Sequence, residues 1–133
     1  MKAKRIFIIL LLCSISSVGF SQQTTQIKSD FIQSFRQNKA SYLNPYFKGY
    51  ASIQMPGHAG LFPAGKSKIY LIEFIKKHPA QAFQFMKSGY TGDNFYLIGN
   101  LKSDSHTWTI YVLFDIKNPQ ATIQQIEIEK TEK

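Results

Sequence analysis

The chain has 133 residues and a formal net charge of +8, with 16 lysines and arginines against 8 aspartates and glutamates. This length suffices for one domain with a hydrophobic core and is too short for two. The lysines are scattered rather than gathered on one face with interleaved aromatics, which argues against nucleic-acid binding.

The N-terminus has the three parts of a secretory signal peptide. A basic start with Lys2, Lys4 and Arg5 precedes the apolar run IFIILLLCSI, and Gly19 and Ser21 supply the small side chains that signal peptidase requires. The run is roughly ten residues, against about 20 needed to cross a bilayer, so no permanent membrane span is expected. We predict a cleaved signal over residues 1–21, a single mature domain over residues 22–133, and a periplasmic or secreted protein.

Cleavage would also change the charge and the cysteine count. It removes three of the 16 basic residues, which leaves 13 against 8 acids and a net charge near +5. It also removes Cys13, the only cysteine. An exported domain without disulfides depends on its hydrophobic core for stability.

The first half of the mature chain alternates helical and extended patterns. Ile27, Phe31 and Phe35 repeat at i, i+4 and i+8, which predicts a helix from Thr24 to about Asn38. A short helical turn, ASYLNPYF, follows and is kept short by its proline. The segment YASIQM predicts a strand, and residues 56–65, rich in glycine and proline, predict an irregular connection. A third helix is predicted over residues 64–77, before Pro79.

The second half of the chain predicts a meander of strands. The segments are FQFMK, FYLIGNL, HTWTIYVLFDIK and ATIQQIEIEK, joined by polar turns. HTWTIYVLFDIK has apolar residues on both faces, which is typical of a central strand covered on both sides. Ile123 is out of phase with Ile126 and Ile128, which predicts a β-bulge or a local twist. The order ααβαββββ predicts an α+β domain in which helices pack on one face of a curved antiparallel sheet.

These motifs resemble a known family. The segments LIEFIKKHPAQAFQF, YLIGNL, TWTIYVLF and IQQIEIEK resemble a family of small exported bacterial proteins known only as a domain of unknown function. The element order resembles the cystatin-like roll of the nuclear-transport-factor-two-like superfamily. The resemblance implies a long first helix across a strongly bent, cone-shaped sheet, and sheet-to-sheet dimers are common in that superfamily. Pro63 and Thr109 depart from the family, which usually has a serine and often a basic residue there.

The inward-facing strand positions carry no acid or base, so we predict no catalytic residue. Phe85, Trp108 and Phe114, with Tyr70 of the third helix, are candidates to line a cavity for a small apolar ligand, and plain core packing is the alternative. Asp30 is expected to be a solvated helix residue. An enzyme that uses Tyr70 or Tyr96 as a hydrogen-bonding acid is the alternative function.

No metal site or cofactor is predicted. His58, His78 and His106 are far apart in the sequence, and none has another ligand type four residues away.

The outer sheet face is expected to be the binding surface. Tyr111 and Leu113, with Tyr96 and Ile98 of the neighbouring strand, would expose an apolar stripe, which soluble monomers rarely do. We therefore expect a homodimer or an envelope protein partner at this face, and a non-enzymatic exported binding domain.

Overall fold

The structure is a computed structural model that describes residues 19–131, with side chains from residue 23 onward. The basic start, the apolar run and Cys13 of the predicted signal peptide lie outside the described residues. The helices are α1 (Gly19–Arg36), a 3₁₀ helix (Ala40–Tyr46) and α2 (Ala64–Lys77). The strands are β1 (Tyr50–Met55), β2 (His58–Pro63), β3 (Ala82–Thr91), β4 (Asn94–Ser103), β5 (His106–Asp115) and β6 (Thr122–Thr131).

The six strands form one sheet in the order β2-β1-β6-β5-β4-β3. Neighbouring strands are antiparallel except β1 and β6, which pair in parallel through residues 52–54 and 125–127. Helix α1 packs on β3 and β4, and α2 packs on β1 and β2. The predicted α+β class, with helices on one face of a curved antiparallel sheet, is confirmed.

The core lies between the helices and the inner face of the sheet. On α1, Ile27, Phe31 and Phe35 are at most 1% exposed, as their helical spacing predicts. The predicted inward-facing residues of β1, β5 and β6 are all buried. Phe85 is the exception among the predicted inward positions, because β3 is an edge strand and shifts register directly after it.

Strand β2 was not predicted. Residues 56–65 were expected to be an irregular connection, but residues 58–63 pair with β1 as a hairpin in which Met55 faces His58. Pro56 and Gly57 form the two-residue turn, and Gly57 has a φ of 86°, which glycine adopts without strain. Pro56 and Gly57 therefore mark one end of a strand and Pro63 and Gly65 the other, while Gly60 lies within it.

The predicted bulge in β6 is confirmed. Leu113 pairs with Gln125, whereas the next residue, Phe114, pairs with Ile123, so Gln124 is the extra residue. The bulge returns Ile123 to the inner face, where it is 2% exposed.

Helix α2 has the predicted bounds. Helix α1 ends before Asn38, which has a φ of 56°. The Asn38 side-chain oxygen accepts a hydrogen bond from the Ala80 N–H at 2.8 Å.

Candidate functional site

The four predicted interface residues lie together on the outer face of the sheet. Strand register places Tyr96 opposite Leu113 and Ile98 opposite Tyr111, so they form a two-by-two group on β4 and β5, which we call the outer block. The rings of Tyr96 and Tyr111 stack across its diagonal, with centroids 6.0 Å apart and an interplanar angle of 23°. All four side chains are half-buried, because each shields its neighbours while the helices cover the other face.

The outer block has a cation on one side and an anion on the other. The register sets Lys87, Ile98, Tyr111 and Glu127 in one row across β3, β4, β5 and β6. Three strand spacings of about 4.8 Å separate the two charged residues, or about 14 Å, so they do not pair within one chain. Partial burial raises the pKa of Tyr111, and the Glu127 carboxylate adds to this shift, so the Tyr111 hydroxyl keeps its proton.

A glycine on the edge strand lets the outer block extend over β3. Gly89 pairs with Tyr96, and a Cβ at Gly89 would lie 2.7 Å from the Tyr96 hydroxyl oxygen and 2.8 Å from its ring. The tyrosine ring therefore lies across the backbone of Gly89. A side chain at this position would displace the ring.

The four predicted cavity residues lie at different places in the fold. Phe114 is fully buried and packs edge-on against Tyr46, with ring centroids 5.4 Å apart. Trp108 is buried on the same face, and Phe85 lies at the sheet margin under the Lys28 ammonium, 4.3 Å from its ring centroid. Tyr70 is on α2, where it stacks on a histidine of the β1–β2 hairpin.

Asp30 is not the solvated residue that was expected. The buried Tyr46 hydroxyl donates a hydrogen bond of 2.5 Å to Asp30 Oδ2, and Gln26 Nε2 donates one of 3.0 Å to Oδ1. Burial raises the pKa of Tyr46, and the adjacent Asp30 carboxylate raises it further. The Tyr46–Asp30 hydrogen bond links the 3₁₀ helix to α1.

A cleft of about 120 Å³ lies between the β1–β2 turn and the C-terminal half of α2. We call it the histidine cleft, and it is lined by Met55, His58, Tyr70, Glu73, Phe74, Lys77 and His78, with Pro56 at the turn. The rings of His58 and Tyr70 stack with centroids 3.7 Å apart and an angle of 12°. On the opposite wall, His78 packs on Phe74 at 4.6 Å and on Trp108 at 4.8 Å.

The fold brings together histidines that are distant in sequence. His58 and His78 share the cleft, and His106 is close enough to lower the pKa of His78 electrostatically. Burial is the main cause of that lowered pKa, and Lys77 is the second; Asp104 opposes them and Lys130 adds to them. Among the described residues, no three histidine, cysteine or carboxylate side chains are placed to hold a metal ion.

A second cleft, of about 220 Å³, lies between the 3₁₀ helix and α2. Its lining includes Lys39, Ala40, Ile72, Ile75 and Lys76. Lys76 and Lys77 are adjacent in sequence but line different clefts, because successive helix residues point about 100° apart.

Sequence reasoning did not find the histidine cleft. Its walls come from a β-hairpin whose second strand was predicted to be an irregular connection, and from the helix that directly follows that strand. The only local signal was the spacing of Tyr70, Phe74 and Lys77 at i, i+4 and i+7, which places them on one face of α2.

Comparison with protein families identifies the chain. The model of the family named Domain of unknown function (DUF4783) matches residues 28–129. The chain belongs to the DUF4783 family. None of the curated proteins matches this DUF4783 protein.

Solved structures share its fold. A DUF4783 family protein from Bacteroides ovatus is 20% identical with a TM-score of 0.69, covering 77% of this chain and 93% of that one. One from Bacteroides uniformis is 18% identical with a TM-score of 0.71, covering 79% and 97%. A proposed dehydratase of the NTF2-like family from Streptomyces avermitilis is 10% identical with a TM-score of 0.59, covering 84% and 96%. At these identities the likeness concerns the fold, which is NTF2-like.

No helix within residues 19–131 is both long and apolar enough to cross a membrane.

Proposed function

We propose that this protein is an exported, non-enzymatic binding domain that works through its outer sheet face, and that the partner at that face is a second copy of the chain. The observation that carries the proposal is the row of Lys87, Ile98, Tyr111 and Glu127, which is apolar at its centre and oppositely charged at its ends. The predicted signal peptide supports export.

A two-fold axis makes this row complementary to itself. If the axis runs along the strands between β4 and β5, it reverses the order of the strands in the second copy. Lys87 of one copy then lies over Glu127 of the other copy, and Ile98 of one copy lies over Tyr111 of the other. The same operation sets Tyr96 over Leu113. Strands of the two sheets stay nearly aligned, which is a common packing of two sheets.

The size of the face suits a dimer of moderate affinity. Strands β3 to β6 have ten residues each. At about 3.3 Å per residue and about 4.8 Å between strands, their outer face measures about 33 by 19 Å, or on the order of 600 Å². Standard interfaces bury about 800 Å² per partner, so we expect a reversible dimer rather than an obligate one.

The test is a charge exchange in the mature chain, residues 22–133, followed by sedimentation velocity at low salt. We expect Lys87→Glu and Glu127→Lys to weaken the wild-type dimer about tenfold each, because each sets like charges against each other across the axis. The double variant restores opposite charges and is expected to recover the dimer. The matched controls Lys76→Glu and Glu73→Lys make the same changes on α2 and should leave the dimer unchanged.

Two results would contradict the proposal. One is a wild-type protein that stays monomeric at about 100 μM, well above the dissociation constant of a specific weak dimer. The other is a dimer that survives both Tyr111→Asp and Leu113→Asp in a protein that remains folded. A dimer that is lost in both single charge variants and not recovered in the double variant would contradict the two-fold geometry.

The second candidate function is an enzyme with an interior site. It is favoured by the Tyr46–Asp30 pair, since a tyrosine bound to a carboxylate is a possible proton donor. However, Tyr46 is 6% exposed, its pKa is raised, and Phe114 packs against its ring. Neither Tyr46 nor Asp30 lines either cleft described above. The Tyr46–Asp30 hydrogen bond is therefore better explained as a structural contact between the 3₁₀ helix and α1.

A further inference from the structure

The histidine cleft combines an apolar base with several hydrogen-bond donors. Met55 and Phe74 are buried and form the apolar part. Around them, the Lys77 ammonium, the Tyr70 hydroxyl and the N–H groups of two imidazoles can donate, whereas Glu73 is the single carboxylate in the lining. The balance of donors over acceptors suits an anionic ligand group.

These donors are not engaged elsewhere. Within residues 23–131, no hydrogen bond or ion pair involves the imidazoles of His58 and His78, the Tyr70 hydroxyl or the Lys77 ammonium. The rings are instead held by stacking: His58 on Tyr70, and His78 between Phe74 and Trp108. A ligand would therefore find the two imidazoles and the Tyr70 ring held in place by stacking, and the Lys77 ammonium without a competing protein acceptor.

The charged groups in and near the cleft balance at neutral pH, with Lys77 and Lys130 against Glu73 and Asp104. Lys77 lines it, and His106 and Lys130 act on His78 from β5 and β6. Asp104 acts in the opposite direction. Glu73 and Lys77 are one helical turn apart on α2, yet they form no ion pair, so the ammonium remains available to a ligand.

The volume limits the size of the ligand. Pockets for drug-sized molecules measure about 300–1,000 Å³, whereas the histidine cleft measures about 120 Å³. This space accepts a body of about one aromatic ring. The ring would lie against Phe74 and Met55.

We propose that the histidine cleft is a binding site for a small organic carboxylate, whose apolar body of about one ring packs on Phe74 and Met55 while its carboxylate is held by Lys77 and the imidazoles of His58 and His78. The site is distinct from the outer block, which lies on the other face of the sheet. It therefore does not depend on dimerisation.

The single tryptophan, Trp108, provides a direct readout, because its ring contacts His78 and Phe74 of the cleft wall. The mature protein is titrated with benzoate and with benzamide, which has the same ring and no charge, while Trp108 fluorescence is recorded. We expect a saturable change with benzoate and binding at least about tenfold weaker with benzamide, as for the loss of a charged hydrogen-bonded group.

Variants of two adjacent lysines distinguish binding at this cleft from a general attraction of benzoate to positive charge. Lys77→Met is expected to weaken benzoate binding about tenfold, since it removes the ammonium that lines the cleft. Lys76→Met removes the same charge one residue earlier, in the other cleft, and is expected to leave benzoate affinity unchanged. Phe74 is left intact, because it belongs to the core.

Three outcomes would overturn the inference. These are no saturable response to benzoate up to about 10 mM, equal affinity for benzamide and benzoate, or an equal loss of affinity in the two lysine variants. Benzoate binding can be measured whether the protein is monomeric or dimeric. The result therefore does not depend on the outcome of the dimerisation test.

Discussion

His78 shows how burial and neighbouring charges set the protonation state of a single side chain. Its imidazole packs on Phe74 and Trp108, which partly shields it from water, and Lys77 precedes it in the chain. Both effects disfavour the charged imidazolium, so the pKa of His78 lies below its ordinary value of 6.5. The neutral imidazole is therefore the form present at pH 7.

This shift predicts that acid destabilises the fold. Because the unfolded chain binds the His78 proton near pH 6.5 and the folded chain binds it only at lower pH, unfolding takes up a proton in that window. The free energy of unfolding should fall as the pH drops through 6.5 toward the pKa of the folded state. Urea unfolding at a series of pH values measures the slope.

Two variants test whether His78 causes this slope. His78→Gln removes the titrating group and should flatten the stability profile between pH 7 and the pKa of the folded state, whereas His58→Gln should keep the slope. If the profile of His78→Gln matched that of the wild-type protein, another group would be responsible. Trp108 fluorescence, recorded against pH in the folded protein, gives the His78 midpoint directly.

Asp30 illustrates what sequence cannot provide at the residue scale. A single carboxylate in a helix is usually solvated, and nothing near Asp30 in the sequence indicates otherwise. Its partner, Tyr46, is 16 residues away on the 3₁₀ helix, and the contact exists only after the two helices pack. By contrast, the burial of Phe31 and Phe35 could be predicted, because it follows from helical spacing alone.

Among the elements, β4 depends on a glycine that makes room for a core ring. Gly99 pairs with Phe85, and a Cβ at Gly99 would overlap the ring of Phe83. That ring stacks on Phe35 at 5.3 Å and packs edge-on against Phe31 at 5.6 Å, so it has nowhere to move. We expect Gly99→Ala to destabilise the domain by about 1–3 kcal/mol through overpacking.

The control for this variant is Gly65→Ala in the first turn of α2. A Cβ there meets no atom within 4 Å, and alanine favours the helix, so stability should be unchanged or slightly raised. Thermal unfolding of both variants, followed by circular dichroism, measures the difference. A Gly99→Ala protein that melts at the wild-type temperature would show that the Phe83 ring adapts at little cost.

Element boundaries could be predicted where one periodicity dominates and not where turn residues cluster. Helix α2 and the bulge at Gln124 follow from the phase of apolar residues, which the sequence displays directly. Strand β2 contains Gly60 and Pro63 and has no buried-to-exposed alternation, so its extended state depends on pairing with β1. The histidine cleft could not be predicted because it is built partly from this strand.

At the scale of the whole molecule, the proposed export predicts the mass of the mature protein. If the signal peptide directs export and is cleaved after Ser21, the protein recovered outside the cytoplasm begins at Gln22. Intact-mass measurement of the protein expressed with its own signal should give the mass of residues 22–133. Substitution of Ser21 by a bulky residue should block cleavage, since signal peptidase accepts small side chains there. A full-length mass in the exported fraction would contradict the assignment.

The position of β6 in the sheet has a consequence for folding. β6 is the last strand in the sequence, but it lies in the interior of the sheet, between β1 and β5. Within the described sheet, the β1–β2 hairpin is joined to the other four strands only through the parallel pairing of residues 52–54 with residues 125–127. This closure links segments more than 70 residues apart, so we expect it to form late and to slow folding. A chain that is still emerging from the ribosome therefore lacks the strand that completes its sheet. If the protein is exported as proposed, the chain would stay unfolded during transport across the membrane, and its sheet would close once residues 122–131 have crossed.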